Sequence, residues 1–390
     1  MDASPSAGSG VDGVETARLS KHWLVLAFSA VVLAAPMTAA AQSADSLAPI
    51  IAQVSDAVCR NDVVLLGELP SHGEARAFQI KAGVVERLIE RCGFDAVFFE
   101  APIYDFLSFQ NPEQLDNAIG RFWLTRELAD FRKHLFERSR RGLVVAGLDD
   151  QVSATSHYAR SVLPALIRKA LPASAATDCA LAAERNLKWT YDAAHPFDAA
   201  EKERLRGCAH TAAAASTNLP PAERTMLENF ASYAERQAGL PDAATRDDVM
   251  ARNAAWHIGR LPAGSKVVIW TATVHAARTR GALTFEPLGA LLARRWPRRV
   301  ASIGFTAYAG QTSMAGRPPQ PLAEVPAESI EARATDGQTP WVFLNAGALK
   351  TLGRAPSRLL GKVTTADWST YFDGVVIIRN EVAPVFEPRR

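Results

Sequence analysis

Short apolar runs bounded by polar or glycine-rich turns recur along the chain, at Val63–Gly67, Ala96–Phe99, Leu143–Leu148 and Lys266–Thr271, then at Val300–Thr306, Trp341–Asn345 and Gly374–Arg379. Runs of this length, rich in Val, Ile and Phe, read as buried β-strands. Between them the spacing turns helical. Ser46–Val58 leads in, Ala77–Arg91 follows the first strand and is stopped by Gly93, and Pro112–Ile119 and Thr125–Arg140 precede the third. Strand and helix alternating at this rhythm predict an α/β fold with a mainly parallel central sheet flanked by helices. From about Val152 to Leu261 strand runs disappear and Ala, Glu, Arg and Leu dominate, with Pro164, Pro172, Pro220 and Pro221 as punctuation. This stretch predicts a large helical insertion forming a subdomain of one α/β domain over 42–390, its clearest helices at Asn229–Gln237 and Asp247–Ile258. The Gly-, Pro- and Ala-rich stretch Ala309–Glu331 predicts a long surface loop near the site.

Composition adds two bounds. With 390 residues, 48% of them hydrophobic, the chain is long enough for a sizeable core. A formal net charge of +2 gives no support for nucleic acid as a partner. The N-terminus stands apart. Arg18, Lys21 and His22 precede an apolar stretch from Trp23 to Ala35, which ends in Pro36-Met37-Thr38-Ala39-Ala40-Ala41. A basic start, a short apolar run and an Ala-x-Ala site describe a signal peptide over 1–41, cut after Ala41. The run is shorter than the roughly 20 residues a spanning helix needs, so the mature chain is expected to be periplasmic or secreted, with no membrane partner. Export makes the four cysteines a disulfide question. Of the three connectivities open to them, Cys59–Cys92 is favoured because both would lie at the lower edge of one βαβ unit. Cys179–Cys208 would then join two helices of the insertion.

Chemistry concentrates where the apolar runs end. Glu68, Glu100, Asp149 and His275 each follow such a run, and in an open α/β sheet the carboxyl ends of the strands are where ligands bind. The loop Gly67-Glu68-Leu69-Pro70-Ser71-His72-Gly73 sets a carboxylate beside an imidazole that it can orient for proton removal from water. Glu100, directly after Ala96-Val97-Phe98-Phe99, is expected to be buried and therefore to need a cation. Asp247 reads as the N-cap of its helix, and Arg246 beside it can clamp Glu100 or a bound carbonyl. Glu68, His72, Glu100 and His275 also have the ligand types for a divalent metal, although no helical His-x-x-x-His pair is present. No Gly-x-Ser-x-Gly elbow, P-loop or Gly-x-Gly-x-x-Gly turn follows any strand.

These blocks resemble the erythromycin esterase family. The similar stretches are Gly67–Gly73, Gly93–Glu100, Arg246–Trp256 and Trp270–His275, with smaller echoes at Trp123–Glu127, Gly147–Asp149, Gly304–Thr306 and Phe372–Gly374. The resemblance implies an α/β sheet with a helical subdomain and a cleft, and ester or lactone hydrolysis by activated water. It implies a catalytic set of His72 as general base with Glu68, Glu100, Arg246 and His275, with Lys81, Asp149 and Trp123 at the substrate and no required cofactor. The pattern departs from the family in two places. Leu69-Pro70-Ser71 makes the first loop one residue longer, and Ala272 stands where a first histidine is usual. The expected substrate is therefore a small-molecule ester or lactone other than a macrolide. The competing reading is a non-catalytic, metal- or haem-binding periplasmic protein of the same superfamily. The sequence leaves the oligomeric state open.

Overall fold

The computed structural model describes residues 43–107, 109–152, 157–335 and 339–388. The expected signal peptide lies outside these residues. The strands are β1 (Val63–Glu68), β2 (Phe94–Pro102), β3 (Val144–Asp149), β4 (Lys266–Ala272), β5 (Val300–Thr312), β6 (Gln320–Pro321), β7 (Trp341–Asn345), β8 (Arg354–Ser357), β9 (Thr364–Asp367) and β10 (Gly374–Glu381). The main sheet has the order β3-β2-β4-β1-β5-β10-β7, with β6 paired to the end of β5, while β8 and β9 form a separate hairpin. Neighbours are parallel from β3 to β10; β7 runs antiparallel along the edge.

Both faces of this sheet are covered, as an all-parallel core requires, and the alternation along β1 sorts its side chains between two cores. Val64 and Leu66 join Val97, Phe99, Val268 and Trp270 under the helix Ala75–Cys92, whose Phe78, Ile80 and Val84 complete that side. Val63 and Leu65 face the other way, with Phe98, Val267 and Ile269, against Met250, Ala254, Leu288 and Leu292. The β1-to-β2 and β4-to-β5 connections thus cross opposite faces of the sheet. The carboxyl ends of β1 and β4 are consequently left facing a crevice, where α/β sheets place their ligands.

Between β3 and β4 the chain forms the helices His157–Ala170, Ala173–Lys188, Ala199–Ala215, Pro221–Ala238 and Arg246–Ile258. The first four bury a core of their own around Leu163, Ile167, Leu205, Leu227 and Phe230. The fifth packs on the sheet through Met250 and Ala254, so the separate helical core ends before it. Pro164 lies inside a helix and breaks nothing, whereas Pro172 and Pro220 stand at helix starts as expected. Reciprocal amide bonds between Asn229 and Asn253, of 3.1 and 2.6 Å, tie this helical core to the helix on the sheet, and Asn253 donates on to Leu148 O at 2.8 Å.

The long loop expected over Ala309–Glu331 is partly regular structure. β5 continues to Thr312, β6 folds back on it, and Glu331 already lies in the short helix Ile330–Ala334. Gly310 explains the difference. At φ 114°, with space for no Cβ because Glu381 O would lie 2.1 Å away, it keeps β5 paired to the end of β10. The hairpin of β8 and β9 has no counterpart in the apolar pattern.

At the lower edge, Cys59–Cys92 is formed with a Cα separation of 5.3 Å, and Cys179–Cys208 joins the second and third insertion helices with 5.1 Å. The Lys266 ammonium at the start of β4 donates to the carbonyls of both Cys59 and Cys92, at 2.9 and 3.0 Å, so the cross-link is held against the sheet. Among the described residues no helix is long and apolar enough to cross a membrane. The Cys59–Cys92 bond closes a loop of sequence separation 33, and bonds of this kind contribute about 2–4 kcal/mol. Replacing both cysteines by Ser is expected to lower the free energy of urea unfolding by that amount without changing the far-ultraviolet circular dichroism.

Candidate functional site

The loop after β1 carries the first two groups. Glu68 closes β1 and is fully buried. His72 follows at φ 49°, in the left-handed region where a side chain costs roughly 1–2 kcal/mol. Its Nδ1 lies 2.8 Å from Glu68 Oε1. A carboxylate only accepts, so Nδ1 carries the proton. Burial pushes the His72 pKa down, against the pull of Glu100 and Glu74, and the ring is neutral with a free lone pair on Nε2. Phe122 and Trp123 flank that ring, each with a centroid 5.3 Å away.

Glu68 is held in turn by buried donors. Trp123 Nε1 and Trp270 Nε1 donate to Oε1 at 2.9 and 3.3 Å, and the Lys81 ammonium pairs with Oε2. Lys81 also donates to Thr271 O at 3.3 Å and lies 4.2 Å from the centre of the Trp270 ring. Burial pushes its pKa well down, opposed by Glu100.

Glu100, within β2, is the centre of the arrangement. Thr271 Oγ1 and Ala272 N each donate to Oε2 at 2.8 Å. Arg246 Nη2 reaches Oε1 at 2.9 Å and His275 Nε2 at 3.2 Å. His72 Nε2 faces the same oxygen across 3.9 Å, too far for a direct hydrogen bond. Burial alone would raise the Glu100 pKa, but His275 and Arg246 outweigh it and hold the carboxyl well below the usual range.

Arg246 opens the helix Arg246–Ile258 and grips Asp149 Oδ2 through Nε and Nη2, at 3.0 and 2.6 Å. Asp149 and Glu100 overcome the desolvation of the guanidinium and raise its pKa further. His275 sits in the single turn Thr273–Ala276 after β4, and its Nδ1 lies 2.9 Å from both carboxylate oxygens of Asp247. Burial would lower its pKa, but Glu100 and Asp247 prevail and lift it to about 10. His275 is therefore an imidazolium beside a guanidinium, with Arg246 Nη1 3.2 Å from its Nε2. A protonated Nε2 cannot accept, which leaves Nη1 a donor available to a ligand.

The structure thus brings Glu68, His72, Glu100, Asp149, Arg246 and His275 together at the carboxyl ends of β1 to β4. One position differs from expectation, Asp247, while the residues expected at the substrate are placed as follows. Lys81 and Trp123 are buried against Glu68, and Asp149 pairs with Arg246. Asp247 is not the N-cap. Thr245 caps the helix in a reciprocal box with Asp248, which leaves Asp247 free to turn inward. The spacing Thr245-Arg246-Asp247-Asp248 carried that signal, since an N-cap Thr pairs with the acid three residues on. Thr271, Trp270 and Phe122 gave no warning, because their roles come from packing. Among the described residues no group of three or more His, Cys, Asp or Glu side chains is arranged to hold a metal ion.

Because the His275 pKa is raised from an unfolded value of about 6.5, its contribution to stability is fully present below that pH and is lost as pH rises toward about 10. The difference in unfolding free energy between wild type and His275→Gln is expected to be largest at pH 6. It should shrink by at most about 1.4 kcal/mol per pH unit on going to pH 10, and a difference independent of pH would contradict the assignment.

The sequence profile of the family described as erythromycin esterase matches residues 89–380, which takes in Glu100, Asp149, Arg246 and His275 and begins after the His72 loop. No curated protein matches the chain. Three solved structures share its fold. A Bacillus cereus protein is 18% identical over 88% of this chain and 94% of its own, with a TM-score of 0.67. A succinoglycan biosynthesis protein is 14% identical over 86% and 92%, with a TM-score of 0.67. An erythromycin esterase mutant, EreC, in its open conformation is 16% identical over 85% and 93%, with a TM-score of 0.62.

Proposed function

This chain belongs to the erythromycin esterase family, and from that premise we propose that it hydrolyses an ester or lactone with water activated by His72. Membership supports a hydrolase-like function on a small molecule; the mechanism is our reading of the geometry. The observation that carries it is the contrast between the two imidazoles around Glu100: His72 commits Nδ1 to Glu68 and turns Nε2 toward Glu100 across 3.9 Å, whereas His275 is held between the carboxylates of Asp247 and Glu100.

A neutral imidazole with its Nδ1 proton committed to Glu68 presents a base at Nε2. A water bridging His72 Nε2 and Glu100 Oε1 would be within reach of both. As it attacks the acyl carbon, its proton passes to Nε2 and negative charge develops on the carbonyl oxygen. Arg246 Nη1, on the most accessible side chain of the set, and the His275 imidazolium stabilise that oxyanion. The C–O bond then breaks, and the His72 imidazolium returns its proton to the departing alkoxide. Glu68, fixed by Trp123, Trp270 and Lys81, offsets the transient charge on His72. No serine nucleophile enters this scheme.

Ala272 places a buried methyl group where the family usually has a histidine, which favours a substrate other than a macrolide. Two disulfides suit an oxidising compartment and support a periplasmic or secreted location, with the N-terminal stretch as the export signal.

A positioned base contributes about 10²–10⁴-fold. His72→Ala is expected to reduce turnover of a panel of small esters and lactones by that factor while its melting temperature stays within a few degrees of wild type. Undiminished turnover in the variant would refute the mechanism. The wild-type rate should fall on acidification, along a limb with a midpoint below about 6.5, because burial lowers the His72 pKa.

A further inference from the structure

We propose that Glu74 is the positioning residue for His72, one buried carboxylate that fixes the backbone on both sides of the histidine and thereby aims its ring. The proposal rests on the reading of His72 as the base. Glu74 is 1% exposed. Its Oε1 accepts from the Ser71 hydroxyl, the residue before His72, and its Oε2 accepts from Gly73 N, the residue after, at 3.1 Å. Thr312 Oγ1, at the end of β5, lies 3.0 Å from Oε1. A single side chain therefore ties both neighbours of His72 to each other and to the sheet.

The rest of the loop is built to the same end. Ser313 N donates to Gly73 O at 3.1 Å, and a Cβ on Gly73 would come 1.9 Å from Ser313 O, so the loop lies flush against the chain leaving β5. His72 N closes a turn to Leu69 O at 3.0 Å. Beyond Glu74, the Glu381 carboxylate of β10 accepts from Arg76 N and Ala77 N, at 2.7 and 3.3 Å, and pins the first turn of the helix that carries Lys81. Within this frame the φ of 49° at His72 needs a restraint. A residue in the left-handed region persists there only when its surroundings over-determine it. Released, the backbone relaxes to an ordinary basin, the Cα–Cβ direction swings, and the ring leaves Glu68 and Glu100. Burial pushes the Glu74 pKa up, opposed by the hydrogen bonds from Ser71, Gly73 and Thr312.

The test uses full-length protein with ¹⁵N-labelled histidine side chains, the His72 signals being assigned by their absence in His72→Gln. Wild type is expected to show the Nδ1–H tautomer and a pKa below about 6.5. In Glu74→Ala the ring should become a tautomer mixture with a pKa moved toward about 6.5. Glu74→Gln keeps the bond from Ser71 and should fall between them in tautomer population, while loss of the Glu74 charge removes a pull that raises the His72 pKa. Thr312→Val, which removes the β5 hydroxyl from Glu74 and also from Ser71 and Gly73 O, should move the ring in the same direction by less. With p-nitrophenyl acetate as probe, kcat in Glu74→Ala is expected to fall about 10–100-fold with KM little changed, Glu74→Gln recovering most of the loss. An unchanged tautomer in Glu74→Ala overturns the proposal, whatever the activity does, since the pKa also responds to loss of the Glu74 charge itself. If that variant does not fold, an unchanged tautomer in both Glu74→Gln and Thr312→Val overturns it equally. Shifted rings in a protein that cleaves no ester would uphold the positioning role and remove the hydrolase reading instead.

Discussion

One carboxylate oxygen, Oε1 of Glu100, organises the upper end of the sheet. Arg246 and His275 both reach it, and His72 looks at it from 3.9 Å. A charge this deep would be expelled or neutralised unless matched by cations and hydrogen bonds. The match is assembled from the end of β4, the helix after the insertion and the turn that follows β4. Each cation then requires its own counter-charge, Asp149 for Arg246 and Asp247 for His275. The network is closed and mutually dependent, and losing one member leaves an uncompensated buried charge, typically at a cost of about 3–5 kcal/mol.

The two histidines show how location sets chemistry. Both are buried, and both have a carboxylate on Nδ1. The partner of His72 is already engaged by Lys81 and two indoles, so it supplies orientation more than charge. His275 has Asp247 on one side and Glu100 on the other and keeps its proton. Environments that push like groups toward opposite protonation states are how proteins assign acid and base roles.

Much of this was legible along the chain. The strand ends were readable because a charged residue straight after an apolar run has to be met by something. The pairing of Cys59 with Cys92 was readable because both flank one strand–helix unit. What stayed hidden depended on tertiary packing. Lys81, singled out through the family resemblance alone, is an ordinary cation in an amphipathic helix until its turn proves to face Glu68. The β8 and β9 hairpin is short, and Thr364–Asp367 has no apolar run. Glu74 passes for a surface charge in a polar loop, although burial and Thr312 make it internal. The inward turn of Asp247 was concealed by an N-cap assignment that the Thr245 and Asp248 box claims instead.

The four helices from His157 to Ala238 close their own core and carry their own covalent cross-link, yet none of the side chains that converge on Glu100 comes from them. Among the described residues, Arg236 of the fourth helix pairs with Asp150, the residue after β3, at the margin of the charge network. A change in the length or sequence of that module therefore leaves in place the groups that meet at the strand ends.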